Sequence, residues 1–199
     1  MKQTILAICT TAILLFGCNN EKKEAPAGVD TAAAGKFPVP GEFHKMLARS
    51  NGTWIGHGTM QFSPDGPLVD GGTSILVNTM AMNDLYQVSA IKGSPSGMRK
   101  PWTGLRITGY DNERKVFTRA MIGDGDAAGG VSMEGTWEEA TQSITFPFKK
   151  ISRTTGEERD LKEVYRIIDE NTEVLEIYDT DPKTKKEFKV LNMKWVRKN

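Results

Sequence analysis

Arg106 with Thr108 and Tyr110, Phe117 with Arg119 and Met121, Glu163 with Tyr165 and Ile167, and Glu176 with Tyr178 each recur at every second residue. At that spacing the side chains of a set stand on one face of an extended strand. If such faces turn inward, the arginines and glutamates must be paired, because an isolated buried charge is costly. An interior arginine could then hold a carboxylate or phosphate head while methionine and aromatic groups pack an apolar tail. The opposite faces carry Leu105 and Ile107, Val116 and Ala120, Val164 and Ile168, and Leu175 and Ile177. Half-buried antiparallel strands usually place such aliphatics inside and the charges in water. One sequence does not set the register, so both arrangements stay open, the aliphatic-inside one being the more usual. The candidate ligand-binding residues are Trp54, Arg106, Tyr110, Arg119, Met121, Glu163, Tyr165 and Glu176, with Trp54 also expected to pack across one end of the fold.

Other chemistry is poorly supplied. His44 and His57 are the only histidines and a metal site of the usual His/Cys kind would be short of ligands, so no metal is expected. Gly123-Asp124-Gly125-Asp126 resembles the start of a calcium loop, but counting from Asp124 puts Gly135, not a glutamate, at the twelfth position. A Gly-rich rim loop is the simpler reading of Gly123 to Gly130. In Gly93-Ser94-Pro95-Ser96-Gly97 the central residue is proline, so it is no nucleophile elbow. No catalytic residue is singled out.

The elements that must position these side chains are strands. Phe43, Met46 and Leu47 share a face at helical spacing, predicting a short helix over Glu42 to Arg49 that ends at Asn51-Gly52. Beyond it, strands are expected near Thr53–Phe62, Thr73–Met80, Tyr86–Lys92, Gly104–Tyr110, Val116–Ile122, Val131–Trp137, Ile144–Lys149, Lys162–Ile168, Glu173–Tyr178 and Glu187–Val196. Turn chemistry separates them, as in Pro64-Asp65-Gly66, Asp111-Asn112 and Asp181-Pro182-Lys183. Ten short strands without a βαβ rhythm predict an all-β fold, an antiparallel up-and-down barrel that removes its exposed edges by closing.

The first residues give an address. Lys2 precedes an apolar run from Ile5 to Phe16, and Leu15-Phe16-Gly17-Cys18 resembles the bacterial lipobox, in which the cysteine sulfur receives a diacylglycerol. The 12-residue run is too short to cross a hydrocarbon core, which needs ~20 residues. Residues 1–17 are therefore expected to be a signal peptide and Cys18 the lipidated start of the mature chain. Cys9 leaves with the signal, so no disulfide framework remains. Without Lys2, 25 basic side chains face 25 acidic ones, which offers no general attraction for nucleic acid. Residues 18–40, charged and then Ala-, Gly- and Pro-rich, read as a disordered tether that could span ~70 Å. Asn19 mildly favours the outer membrane, if the enterobacterial sorting rule applies, with the domain facing periplasm or cell surface. Residues 41–199 make one domain.

Several stretches carry a family resemblance. Asn51-Gly52-Thr53-Trp54 after a short helix resembles the Gly-x-Trp opening of lipocalin-like (calycin) barrels. His44-Lys45-x-Leu47, Gly52-Thr53-Trp54, Ile107-Thr108-Gly109-Tyr110-Asp111-Asn112, Glu134-Gly135-Thr136-Trp137, Tyr165-Arg166-Ile167 and Glu187-Phe188-Lys189 resemble, in order, bacterial proteins of the domain-of-unknown-function family 1579. The resemblance implies a lipocalin-like barrel and no established activity. It departs at Ala120-Met121-Ile122 and the Gly-rich stretch after it, where family members often carry an aromatic and a compact Asp-Asn turn. Haem-carrying ten-stranded barrels of the nitrobindin type use an axial histidine late in the chain; none follows His57, so no haem or other cofactor is expected. The function expected is non-covalent binding of a small, partly apolar ligand by a membrane-anchored lipoprotein. The alternative is a filled barrel whose outer face docks another envelope protein. An enzyme, with Glu163, Glu176 and Tyr165 converging in the lumen, ranks third.

Overall fold

The computed structural model describes residues 37–97, 100–124, 130–152 and 156–198. The expected signal peptide, Cys18, the tether up to residue 36 and the centre of the Gly-rich loop, 125–129, lie outside the described residues. Pro38–Asn199 forms one compact unit. It starts with helix α1 (Glu42–Arg49), placed as its apolar spacing predicts. Gly41 precedes the helix in an extended conformation, and its N–H donates to His44 Nδ1 at 2.9 Å. Glu42 in the first turn and Arg49 in the last complement the helix dipole.

Ten strands follow: β1 (Gly52–Met60), β2 (Val69–Ala81), β3 (Tyr86–Ser94), β4 (Trp102–Asp111), β5 (Val116–Gly123), β6 (Val131–Glu138), β7 (Ser143–Ile151), β8 (Glu158–Ile167), β9 (Thr172–Thr180) and β10 (Glu187–Arg197). Each runs antiparallel to the next and β10 pairs back onto β1, so the sheet is a closed barrel. Every predicted strand is present; the largest differences are at β2 and β8, which start at Val69 and Glu158 rather than near Thr73 and Lys162. Asp70-Gly71-Gly72 looks like a turn but continues the strand beside a bulge at Gly58/Thr59. Gly72 adopts φ +85°, a left-handed conformation that glycine takes without strain.

One end of the barrel is closed by α1. An eight-residue helix leaves its last carbonyls without helical partners, and the barrel supplies them. Trp54 Nε1 donates to Ser50 O at 2.8 Å, Gln87 Nε2 to Leu47 O at 2.7 Å, and Asn78 Nδ2 to Ser50 O at 3.1 Å. Arg197 lies 4.2 Å above the Trp54 ring and donates to the carbonyls of Arg49, Asn51 and Glu170. On the other side of the helix Phe43 wedges among Tyr110, Phe117 and Trp137, with ring centroids 4.6, 5.2 and 5.6 Å away. The interior is then filled from the wall: Trp195 lies over Gly56, where a Cβ would meet its indole at 2.4 Å. Leu47, Trp54, Leu76, Phe117, Phe146, Tyr165 and Trp195 make up much of the core.

Candidate functional site

The inward faces differ from the usual pattern on three strands. Arg106, Thr108, Phe117, Arg119, Glu163 and Tyr165 are all buried, whereas Ile107 and Ile122 face outward and are 36% and 56% exposed. On β4, β5 and β8 it is therefore the charged set that points in, which corrects the more usual aliphatic-inside expectation there. Strand β9 does the reverse: Glu173 and Leu175 point in, and Glu176 and Tyr178 stand on the other face, where Arg166, Lys189 and Tyr178 cover Glu176 and leave it 5% exposed.

Arg119 and Glu163 form an ion pair inside the barrel. Arg119 Nε also donates to Thr108 Oγ1 at 3.0 Å, and its guanidinium lies 4.2 Å from the Phe146 ring centroid. Burial pulls the Arg119 guanidinium down to about 10, against the raising influence of Glu163. It remains a cation at neutral pH.

Arg106 is held differently. Only 2% exposed, its guanidinium sits 5.6 Å from the Tyr165 ring and 5.9 Å from the Trp195 ring. Its Nε and Nη2, together with Arg119 Nη2, have no hydrogen-bond partner among the described residues. The acid nearest in influence is Glu173, which is fully buried and accepts a 2.9 Å hydrogen bond from Tyr165 O–H at Oε2. Burial pushes the Glu173 carboxyl up, which favours its neutral form, and burial likewise pushes the Tyr165 hydroxyl up. No carboxylate forms an ion pair with Arg106 among the described residues, a costly arrangement for a buried cation.

The neighbours of Arg106 are polar as well. Register sets Asn78 of β2 opposite Ser89 of β3, and Ser89 opposite Arg106 of β4, so the three side chains form a row on the inner wall. Gln87 lies two residues along β3 toward α1. All four are buried, and Asn78 Oδ1, Gln87 Oε1 and Ser89 Oγ have no partner among the described residues.

The expected site residues therefore divide. Arg106, Arg119, Glu163 and Tyr165 come together in the interior, Tyr110 joins the aromatic wedge under α1, and Met121 stands opposite Arg106 on the inner face of β5. Trp54 sits in the floor. Glu176 must be removed from the set, because on the outer face it pairs with Arg166 at 2.5 Å and with Lys189, and accepts from Tyr178 O–H at 3.0 Å. Burial raises its carboxyl, but these donors outweigh that and hold it below the usual range. Glu163, Glu176 and Tyr165 thus do not converge. The acid beside Tyr165 is Glu173, missed because Thr172–Thr180 carries a glutamate and aliphatics on both faces. Ser89, Asn78 and Gln87 were missed as ordinary strand residues; only their cross-strand register to Arg106 marks them. The histidines stay apart: His44 is on the buried side of α1, while His57 faces out toward Asp70 at 3.3 Å.

Two depressions border this interior. A pocket of about 70 Å³ beside α1 is lined in part by Met46, Trp137, Ile144 and Tyr165. A wider cleft of about 250 Å³ opens at the far end among β7, β8 and β9, lined in part by Ile151, Leu161, Arg159 and Asp179. The Arg159–Asp179 ion pair, 2.9 Å long, stands at its edge.

A closed ten-stranded antiparallel barrel with a helix under one end is a lipocalin-like calycin fold. Residues 39–197 match the family described as "Protein of unknown function (DUF1579)", and the chain belongs to that family. Among curated proteins none matches it. Among solved structures the barrel is similar to that of the S-type phycobiliprotein lyase CPES from Guillardia theta, with a TM-score of 0.54. The match covers 79% of this chain and 93% of the lyase at 11% identity, a likeness of fold.

Proposed function

We propose that this protein binds a small amphipathic anion inside its barrel, with Arg106 and the open Nη2 of Arg119 receiving the anionic group. The observation that carries this reading is the Arg106 guanidinium, 2% exposed and without an ion pair among the described residues. A carboxylate can accept two parallel N–H donors from such a group. The ligand's apolar part would lie toward the far end, among Ile91, Trp102, Met121, Phe148, Leu161 and Met193. Methionines suit a wall that must adapt to an occupant. The similar lyase is named for phycobiliproteins, which is compatible with a calycin barrel handling a small molecule. The anchoring is part of the same proposal: lipid on Cys18 holds the chain in the cell envelope, most simply at the outer membrane, and residues 19–40 let the barrel reach away from the bilayer.

Native mass spectrometry of the full chain, followed by solvent extraction, tests the binding reading. A reproducible small anionic adduct is expected, lost in Arg106→Met. A bare polypeptide mass with no uptake of anionic amphiphiles would contradict it and favour a filled barrel acting through its outer face. For the anchor, Cys18→Ser should abolish lipid labelling.

A further inference from the structure

The polar atoms around Arg106 carry more information than a charge. Asn78 and Gln87 each use their amide N–H groups on the end of α1: Asn78 Nδ2 donates to Ser50 O at 3.1 Å and to Ser50 Oγ at 2.5 Å, and Gln87 Nε2 to Leu47 O at 2.7 Å. Because a backbone carbonyl only accepts, these bonds fix which end of each amide is oxygen. Asn78 Oδ1 and Gln87 Oε1 are therefore acceptors, buried and without partners among the described residues. Ser89 Oγ, equally buried and unpartnered, stands between Asn78 and Arg106 in the strand register. Directly opposed residues on one sheet face have Cβ atoms roughly 5 Å apart. Donors that suit an anion and acceptors that suit a hydroxyl or N–H thus lie side by side on β2, β3 and β4.

A plain fatty acid fills only half of such a surface. Its carboxylate would satisfy Arg106 but leave the Asn78 and Gln87 oxygens facing hydrocarbon, and a buried acceptor left unmade is penalised. Resting on the anion reading above, we infer that the ligand's head carries a hydrogen-bond donor next to its carboxylate, as in a hydroxy acid, with Ser89 and the Asn78 and Gln87 oxygens receiving that donor. A ligand hydroxyl in this row can donate to one of the amide oxygens while accepting from the Ser89 O–H, so it completes two groups at once.

The test compares decanoate, 2-hydroxydecanoate and 3-hydroxydecanoate by calorimetric titration of the full chain carrying Cys18→Ser. At least one hydroxylated probe is expected to bind about tenfold tighter than decanoate, the ratio one additional net hydrogen bond provides. That ratio should fall to about one in Ser89→Ala and persist in Lys92→Ala, a change at an exposed position on the same strand. Decanoate binding as tightly as both hydroxylated probes would overturn the inference while leaving the anion reading standing. A preference that survives Ser89→Ala would overturn the assignment of the donor to this row. Failure of all three probes to bind would overturn the inference together with the reading it rests on.

Discussion

Replacing either buried arginine by methionine removes a similar guanidinium from the same interior, yet the two changes should move stability in opposite directions. Arg119 is ion-paired to Glu163 and hydrogen-bonded to Thr108. Arg119→Met would strand a buried carboxylate, a change that costs about 3–5 kcal/mol. Arg106 has no ion pair among the described residues, and what offsets its desolvation is proximity to the Tyr165 and Trp195 rings at 5.6 and 5.9 Å. Contacts near the outer limit of cation–π range contribute about 0.5–1 kcal/mol each, less than the several kcal/mol of burying an ion. Arg106→Met should therefore stabilise the ligand-free protein by about 1–3 kcal/mol, within the range seen when buried charges give way to packed apolar groups. At roughly 2–4 °C per kcal/mol for a domain of this size, the melting temperature should rise by about 2–12 °C in Arg106→Met and fall by about 6–20 °C in Arg119→Met. The assay is differential scanning calorimetry of protein freed of bound small molecules by extraction, with urea unfolding as a second readout. If Arg106→Met lowers the melting temperature as Arg119→Met does, then Arg106 already has a sufficient partner in the ligand-free protein and the reasoning fails.

Three further outcomes follow from the closed end and the wall. Burial lowers the His44 imidazole below its ordinary 6.5, against a raising hydrogen bond to the Tyr110 backbone. The unfolded chain then binds the proton more readily, so this contribution is complete above pH 6.5 and is lost as pH falls toward the folded-state value. Urea titrations between pH 7 and 5 should show a loss that His44→Gln does not share; equal pH profiles would reject it. Gly56→Ala would drive a Cβ to 2.4 Å from the Trp195 indole and 2.5 Å from Ser74 Oγ. It should cost about 1–3 kcal/mol by urea unfolding with a shift in tryptophan emission, as overpacking of a filled core does. Arg197→Ala removes the donor that joins the carbonyls of Arg49, Asn51 and Glu170. Hydrogen exchange should quicken in α1 and the start of β1 while β6 and β7 stay protected.

The helix and all ten strands were legible because most boundaries are written in local chemistry: Asn51-Gly52 after α1, Asp111-Asn112 between β4 and β5, Asp181-Pro182-Lys183 between β9 and β10. Sidedness was not. In β4 and β9 both faces carry polar and apolar residues, and a slip of one residue exchanges the faces. Which face turns inward is decided by cross-strand partners distant in the chain, such as Tyr165 beside Leu175. That is why Arg106, Arg119, Glu163 and Tyr165 could be named from their spacing, whereas Glu176 was grouped with them in place of Glu173. Asn78, Gln87 and Ser89 carry no signal of their own type. Their meaning comes from the register that sets Asn78 and Ser89 in a row with Arg106, with Gln87 beside them, and from the end of α1, which fixes the two amides.

The most direct test of the central claim is a paired calorimetric titration of decanoate and decanol into the full chain carrying Cys18→Ser, with and without Arg106→Met. The account predicts that decanoate binds with one-to-one stoichiometry, that decanol binds far more weakly, and that Arg106→Met removes the difference between them. Equal affinity for the acid and the alcohol, or a preference for the acid that survives Arg106→Met, would contradict it.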